Sequence, residues 1–145
     1  MNLTFNVERL LLPVSVDLQD VLNMVVDRSH KLTSSTQSLV INFRDSSYVR
    51  NPENGGFHAI EIRLIREGKQ WVFDYITDFS YVGYPYPELV KEVDFDFSSG
   101  LANFLYQFEE SITDERVHEF YSMWESNFLS YVEMDAFDEI EVAID

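Results

Sequence analysis

The sequence predicts an α+β fold: an antiparallel meander sheet of about 5–7 strands, flanked by an N-terminal and a C-terminal amphipathic helix. Three observations carry this. Between Ile60 and Phe97 lie three successive stretches in which bulky and polar residues alternate, the pattern of strands with one buried face. A stripe of apolar residues at helical spacing precedes them and another follows them. The stretches are separated by short turn-forming segments, as in a meander.

The elements are taken in order. Leu3, Phe5 and Val7 alternate and predict a short strand over 2–7. Ser15 is placed to cap a helix over about 15–31, with Asp17 in its first turn and Arg28, His30 and Lys31 in its last. Leu18, Val21, Leu22, Val25 and Val26 form its apolar face. Thr33-Ser34-Ser35-Thr36 reads as a loop, and Leu39, Ile41 and Phe43 as the first strand of the sheet. Residues 44–56 read as a turn or extended loop because of Pro52 and Asn54-Gly55-Gly56.

The central strands follow. Ile60, Ile62 and Leu64 share one face, and Glu61 and Arg63 the other. Gly68 suits a hairpin connection by its freedom to take positive φ. In 71–79 the alternation puts Trp71, Phe73, Tyr75 and Phe79 on one face. Pro85 and Pro87 end that strand. In 89–97 it puts Leu89, Val93, Phe95 and Phe97 on one face and Val90, Glu92, Asp94 and Asp96 on the other. Leu101 to Phe108 reads as a further strand, with a helix as the alternative.

The C-terminal helix is the clearest single element. Thr113 is its expected cap, and Val117, Phe120, Tyr121, Trp124, Phe128 and Tyr131 line one face. That stripe is expected to pack on the sheet, each buried aromatic contributing ~2–3 kcal/mol. Residues 138–145 alternate again and predict a terminal strand, paired with the N-terminal one.

A chain of 145 residues reads as one domain over 1–145. The net charge of −16 opposes binding to nucleic acid and to anionic lipid, and favours a basic protein partner. The charge is uneven. Residues 1–91 hold 11 acids against 9 bases, whereas residues 92–145 hold 15 acids and the single base Arg116. Glu92, Asp94, Asp96, Glu133, Asp135, Asp138 and Glu139 are therefore the candidate acidic surface. The absence of cysteine excludes disulfides and thiol chemistry. The first residues lack a basic leading segment, and no apolar run is long enough to span a bilayer, so cytoplasm is the expected location.

The catalytic motifs are missing. There is no G-x-S-x-G elbow, no phosphate-binding glycine loop and no H-E-x-x-H, so neither an enzyme nor a cofactor is indicated. Asp94-x-Asp96-x-Ser98 begins like a calcium loop, but Ser99 stands at the glycine position and Leu105 at that of the closing glutamate. His30 and His118 read as surface residues. His58 opens the central hairpin, and the strand ends bring Arg44, Asp45 and Ser46 and then Thr77 and Asp78 toward it. This candidate polar cluster offers a base or a metal ligand, while the same residue types commonly satisfy backbone groups in turns.

Asn42 to Tyr48, Gly55 to Ile62, Tyr75 to Gly83 and Pro87 to Phe97 together resemble a bacterial family of small acidic proteins of unknown function. The resemblance implies an antiparallel sheet with terminal helices. That fold is similar to the acidic mitochondrial matrix protein that binds the globular heads of a complement component. It implies a multiligand binding protein, often oligomeric. Tyr81, Tyr84, Tyr86 and Phe79 agree with a homo-oligomer, being more aromatics than one core absorbs.

The leading functional expectation is a non-enzymatic acidic binding module for a basic protein. The alternatives are a DNA mimic, or a small metal-dependent hydrolase using His58, Asp45 and Asp78.

Overall fold

A computed structural model describes residues 2–105 and 109–145. The first helix, α1 (Val16–Ser29), is capped by the Ser15 hydroxyl, which accepts from the Leu18 N–H. Strand β1 (Ser38–Arg44) leads into a short helix, α2 (Ser46–Arg50), and a 3-10 turn at Pro52–Asn54. Strands β2 (Ala59–Glu67), β3 (Gln70–Val82), β4 (Glu88–Asp96), β5 (Leu101–Phe104) and β6 (Glu110–Ser111) follow. The chain closes with α3 (Glu115–Glu133) and β7 (Glu139–Ile144). All pairings within the sheet are antiparallel, in the order β6-β5-β4-β3-β2-β1-β7. The expected α+β meander with terminal helices is the observed architecture.

Several local expectations change. Residues 2–7 do not form a strand. Phe5 makes a single parallel bridge to Trp71, and Val7 begins a 3-10 turn. Their intended partner is elsewhere: β7 pairs with β1, with Val142 opposite Ile41. Residues 46–50 are helical, not loop, because the Asp45 carboxylate takes the Ser47 N–H and starts a turn. Asp114, not Thr113, caps α3 by accepting from the Arg116 N–H. Residues 101–104 are strand, and the alternation expected over 106–108 lies outside the described residues.

Two β-bulges decide which side chains face the helices. Arg63 pairs with Tyr75 but Leu64 with Phe73, so Asp74 is an extra residue in β3. The alternation then reverses. Phe73, Ile76 and Asp78 face inward with Leu64, Ile62 and Ile60, while Tyr75, Thr77 and Phe79 face outward. Tyr75 and Phe79 are thus on the opposite face from Trp71 and Phe73. In β4, Val93 pairs with Asp78 but Lys91 with Phe79, leaving Glu92 as the extra residue. Leu89 shifts to the outer face, opposite Tyr81, and is exposed.

The core lies between the inner face of the sheet and both helices. Phe95, fully buried, meets Tyr121 edge-on at 5.2 Å and Trp124 at 5.8 Å. Phe43 meets Phe128 edge-on at 5.0 Å, and Trp124 stacks on Phe128 at 5.3 Å. Within this stripe sits a charged residue, Glu125, only 5% exposed. Its carboxylate accepts from the Tyr121 hydroxyl at 2.6 Å and the Ser15 N–H at 3.1 Å, tying α3 to the start of α1. Among the described residues, no helix is long and apolar enough to cross a membrane.

Glu125→Ala removes the acceptor for two donors at a buried helix junction and is expected to cost about 2–3 kcal/mol. Urea unfolding measures this; a loss indistinguishable from zero means that water replaces the carboxylate.

Candidate functional site

His58 stands just before β2, with alternation pointing it to the inner face beside Ile60. Its Nδ1 lies 2.8 Å from Asp78 Oδ1 and 2.8 Å from Glu92 Oε2. The three donor atoms all lie within 4.8 Å of one another. Asp78 is buried on β3, and its second oxygen accepts the Trp124 Nε1–H at 2.9 Å. Tyr48 of α2 stacks on the imidazole at 5.8 Å, and its hydroxyl accepts the Tyr81 N–H at 2.9 Å. The ring is therefore held on its face by Tyr48 and at Nδ1 by carboxylate.

The chain before His58 is held just as closely. The Asp45 carboxylate accepts the Phe57 N–H at 3.1 Å. Gly56 has φ +151, and a Cβ there would lie 2.6 Å from the Tyr48 Cβ. Only glycine lets Tyr48 approach this closely.

The cluster opens into a cleft of about 760 Å³ between the sheet and α3. Phe104, Phe120, Trp124, Phe128 and Tyr131 make most of its wall aromatic, with Asn127 the one amide. The Asp78 hydrogen bond raises the His58 pKa above its ordinary 6.5, and the Asp78 and Glu92 charges add to this against the effect of burial. Chemically, the cluster can hold a proton between imidazole and carboxylates, or a cation among all three.

The sequence-derived cluster is only partly assembled. His58 and Asp78 meet. Thr77 faces outward, where its hydroxyl donates to Asp94 at 2.7 Å. Asp45 serves α2 and the Phe57 N–H instead. Ser46 donates its N–H to Asp138 at 2.8 Å and its hydroxyl to the other Asp138 oxygen. Arg44 lies 3.8 Å from Glu141.

The candidate acidic surface is likewise divided. Glu92 is turned into the cleft by its bulge. Asp94 and Asp96 are half-buried on the outer face, and Asp96 accepts the Ser99 N–H at 3.1 Å. Glu133, Asp135, Asp138 and Glu139 are exposed. Sequence reasoning missed Glu92 as a cleft residue and Trp124 as a hydrogen-bond donor. A bulge has no reliable local signal in the sequence, and an indole on an apolar stripe reads as core.

The model of the family described as protein of unknown function, DUF2787, matches residues 16–143. The chain belongs to the DUF2787 family. The match extends well beyond the four segments that carry the resemblance. A solved hypothetical protein from the VSP-II pathogenicity island of Vibrio cholerae is 38% identical, with a TM-score of 0.89 over 99% of this chain and 100% of its own. A conserved hypothetical protein from the VPI-2 island of the same species is 41% identical, with a TM-score of 0.77 over 91% of this chain and 95% of its own. That second structure is described as sharing structural homology with the human P32 protein. No curated protein matches the chain.

Asp138 supplies a pH prediction. The Ser46 hydroxyl and N–H hold its carboxyl below the ordinary 3.8. A depressed folded pKa contributes stability that is complete above the unfolded value and is lost as pH falls through the folded one. Ser46→Ala is therefore expected to raise the Asp138 pKa and to lessen the loss of stability below about pH 4. Carboxyl NMR titration and acid unfolding check this; an unmoved Asp138 titration contradicts it.

Proposed function

We propose that this DUF2787 chain is a non-enzymatic binding module that engages a basic protein partner through the acidic edge formed by its last residues. One observation carries the reading. Glu133, Asp135, Asp138, Glu139, Glu141 and Asp145 are all exposed, while no Lys or Arg follows Arg116 in the sequence. They run from the end of α3 through β7, the edge strand beside β1, to the residue after it. Glu141 and Asp145 are partly offset by Arg44 and Arg63, at 3.8 and 3.1 Å. Glu133, Asp135 and Glu139 form no ion pair among the described residues, and these three are assigned the largest share. The protein-binding character of the mitochondrial protein that the fold resembles supports the same reading.

The alternatives draw less support. On the outer face, Glu61, Asp74, Asp94 and Asp96 are interspersed with Arg63 and Lys91, and Arg63 lies 2.8 Å from Asp74. That is not a row of free charges like a nucleic-acid backbone. The hydrolase reading needs Asp45 beside His58, and Asp45 is engaged with Ser47 and Phe57.

The proposal includes self-association. Tyr84 and Tyr86 are 97% and 85% exposed on the connection from β3 to β4, a placement that favours an interface.

Two measurements bear on this. Binding to a polylysine probe is expected to weaken about tenfold between low and high salt, and again in Glu133→Gln/Asp135→Asn/Glu139→Gln. Asp135 sits at φ +56, which asparagine tolerates, so that variant is expected to fold. Salt-independent binding, or an unaffected triple variant, rejects the acidic edge. In light scattering, wild type is expected to exceed 17.0 kDa and Tyr84→Ala/Tyr86→Ala to approach it. A wild-type monomer at high concentration rejects the self-association.

A further inference from the structure

The geometry points to a divalent-cation site of the first-row transition-metal class, Zn²⁺ foremost, formed by His58 Nδ1, Asp78 Oδ1 and Glu92 Oε2 at the end of the aromatic cleft. This goes beyond the binding reading and concerns a different surface.

The first observation is a surplus of acceptors. Two carboxylate oxygens each lie 2.8 Å from the same ring nitrogen. Nδ1 carries at most one hydrogen, and one N–H does not make two straight hydrogen bonds. A cation among the three atoms satisfies all of them together. The spacing is suitable, because neighbouring ligands around an ion with bonds of roughly 2.1 Å stand about 3 Å apart. Two carboxylates and a neutral imidazole also match a doubly charged ion. One nitrogen and two oxygens suit a borderline metal better than calcium, which prefers oxygen alone.

The second observation is independent of the cluster's own contacts. The other Asp78 oxygen accepts a buried indole N–H from Trp124 at 2.9 Å. Metal-binding carboxylates are characteristically oriented by such an outer hydrogen bond. Tyr48 holds the imidazole face at 5.8 Å. The site opens to a cleft of about 760 Å³, leaving room for water or a partner's group at the remaining positions.

Chelator-treated full-length protein titrated with ZnCl₂ in a calorimeter tests this. One ion per chain is expected. His58→Ala and Glu92→Gln are each expected to abolish that binding. Trp124→Phe keeps an aromatic ring and is expected to weaken it about 10–100-fold. Asp94→Asn, on the outer face, is expected to leave it unchanged. Circular dichroism reports whether each variant is folded, and Glu92→Gln, near-isosteric in a half-exposed bulge, is the variant most certain to be. Absence of Zn²⁺ binding by wild type overturns the proposal in favour of a closed imidazole–carboxylate network. Binding that survives both His58→Ala and Glu92→Gln also overturns it, placing the ion on other carboxylates.

Discussion

A strand presents alternate side chains to opposite faces, so one extra residue reverses everything beyond it. That constraint governs this molecule twice. The bulge at Asp74 lets β3 bury Trp71 and Phe73 near one end and Ile76 and Asp78 further along. The bulge at Glu92 brings a carboxylate to the inner face beside Val93. Without the first, Asp78 would face outward and Thr77 would face Trp124. Without the second, His58 would meet one carboxylate instead of two. The cleft is thus a product of strand geometry, and α3 supplies its aromatic wall.

The same geometry sorts the charge. Of the acids in the last third, some serve the fold. Glu125 joins two helices, Asp114 caps α3, and Asp138 ties the entry of β7 to α2. On the outer face Asp94 takes the Thr77 hydroxyl, and Glu61 takes the Tyr75 hydroxyl at 2.5 Å. Hydrogen-bonded carboxylates hold their charge at fixed positions and are less available to a partner. What remains in water is concentrated near β7. A sheet edge carrying carboxylates also resists pairing with other strands, because bringing like charges together is unfavourable. Charge at this edge therefore disfavours edge-to-edge strand pairing.

The relatives place these features in context. The Vibrio cholerae structures cover nearly the whole chain at 38% and 41% identity, so the sheet and its helices are shared architecture. A shared architecture leaves function to its sites. Here two candidate sites differ in character. The edge is exposed, diffuse and electrostatic. The cleft is largely aromatic, with the His58, Asp78 and Glu92 cluster in its wall. Short helix α2 stands between them: Ser46 bonds Asp138 at the entry of β7, and Tyr48 stacks on His58.

The sequence by itself determined the fold class, the positions of α1, α3 and the central strands, and the excess of acid in the last third. These follow from local properties: side-chain period, capping residues, turn formers and composition. It also put His58 and Asp78 in one candidate cluster, by reading both as close to strand ends that a meander brings together, although Asp78 lies within β3. Only the tertiary structure decided the rest. The pairing of β7 with β1 is a choice between distant partners that alternation cannot make. The helix at Ser46–Arg50 depends on one cap, Asp45, in a segment whose proline and glycines read as loop. Glu92 joined His58 because a bulge, energetically small and locally unsigned, reversed the face of a strand. Arg44, Ser46 and Thr77 went elsewhere because each found a nearer acid across the sheet or in the turn.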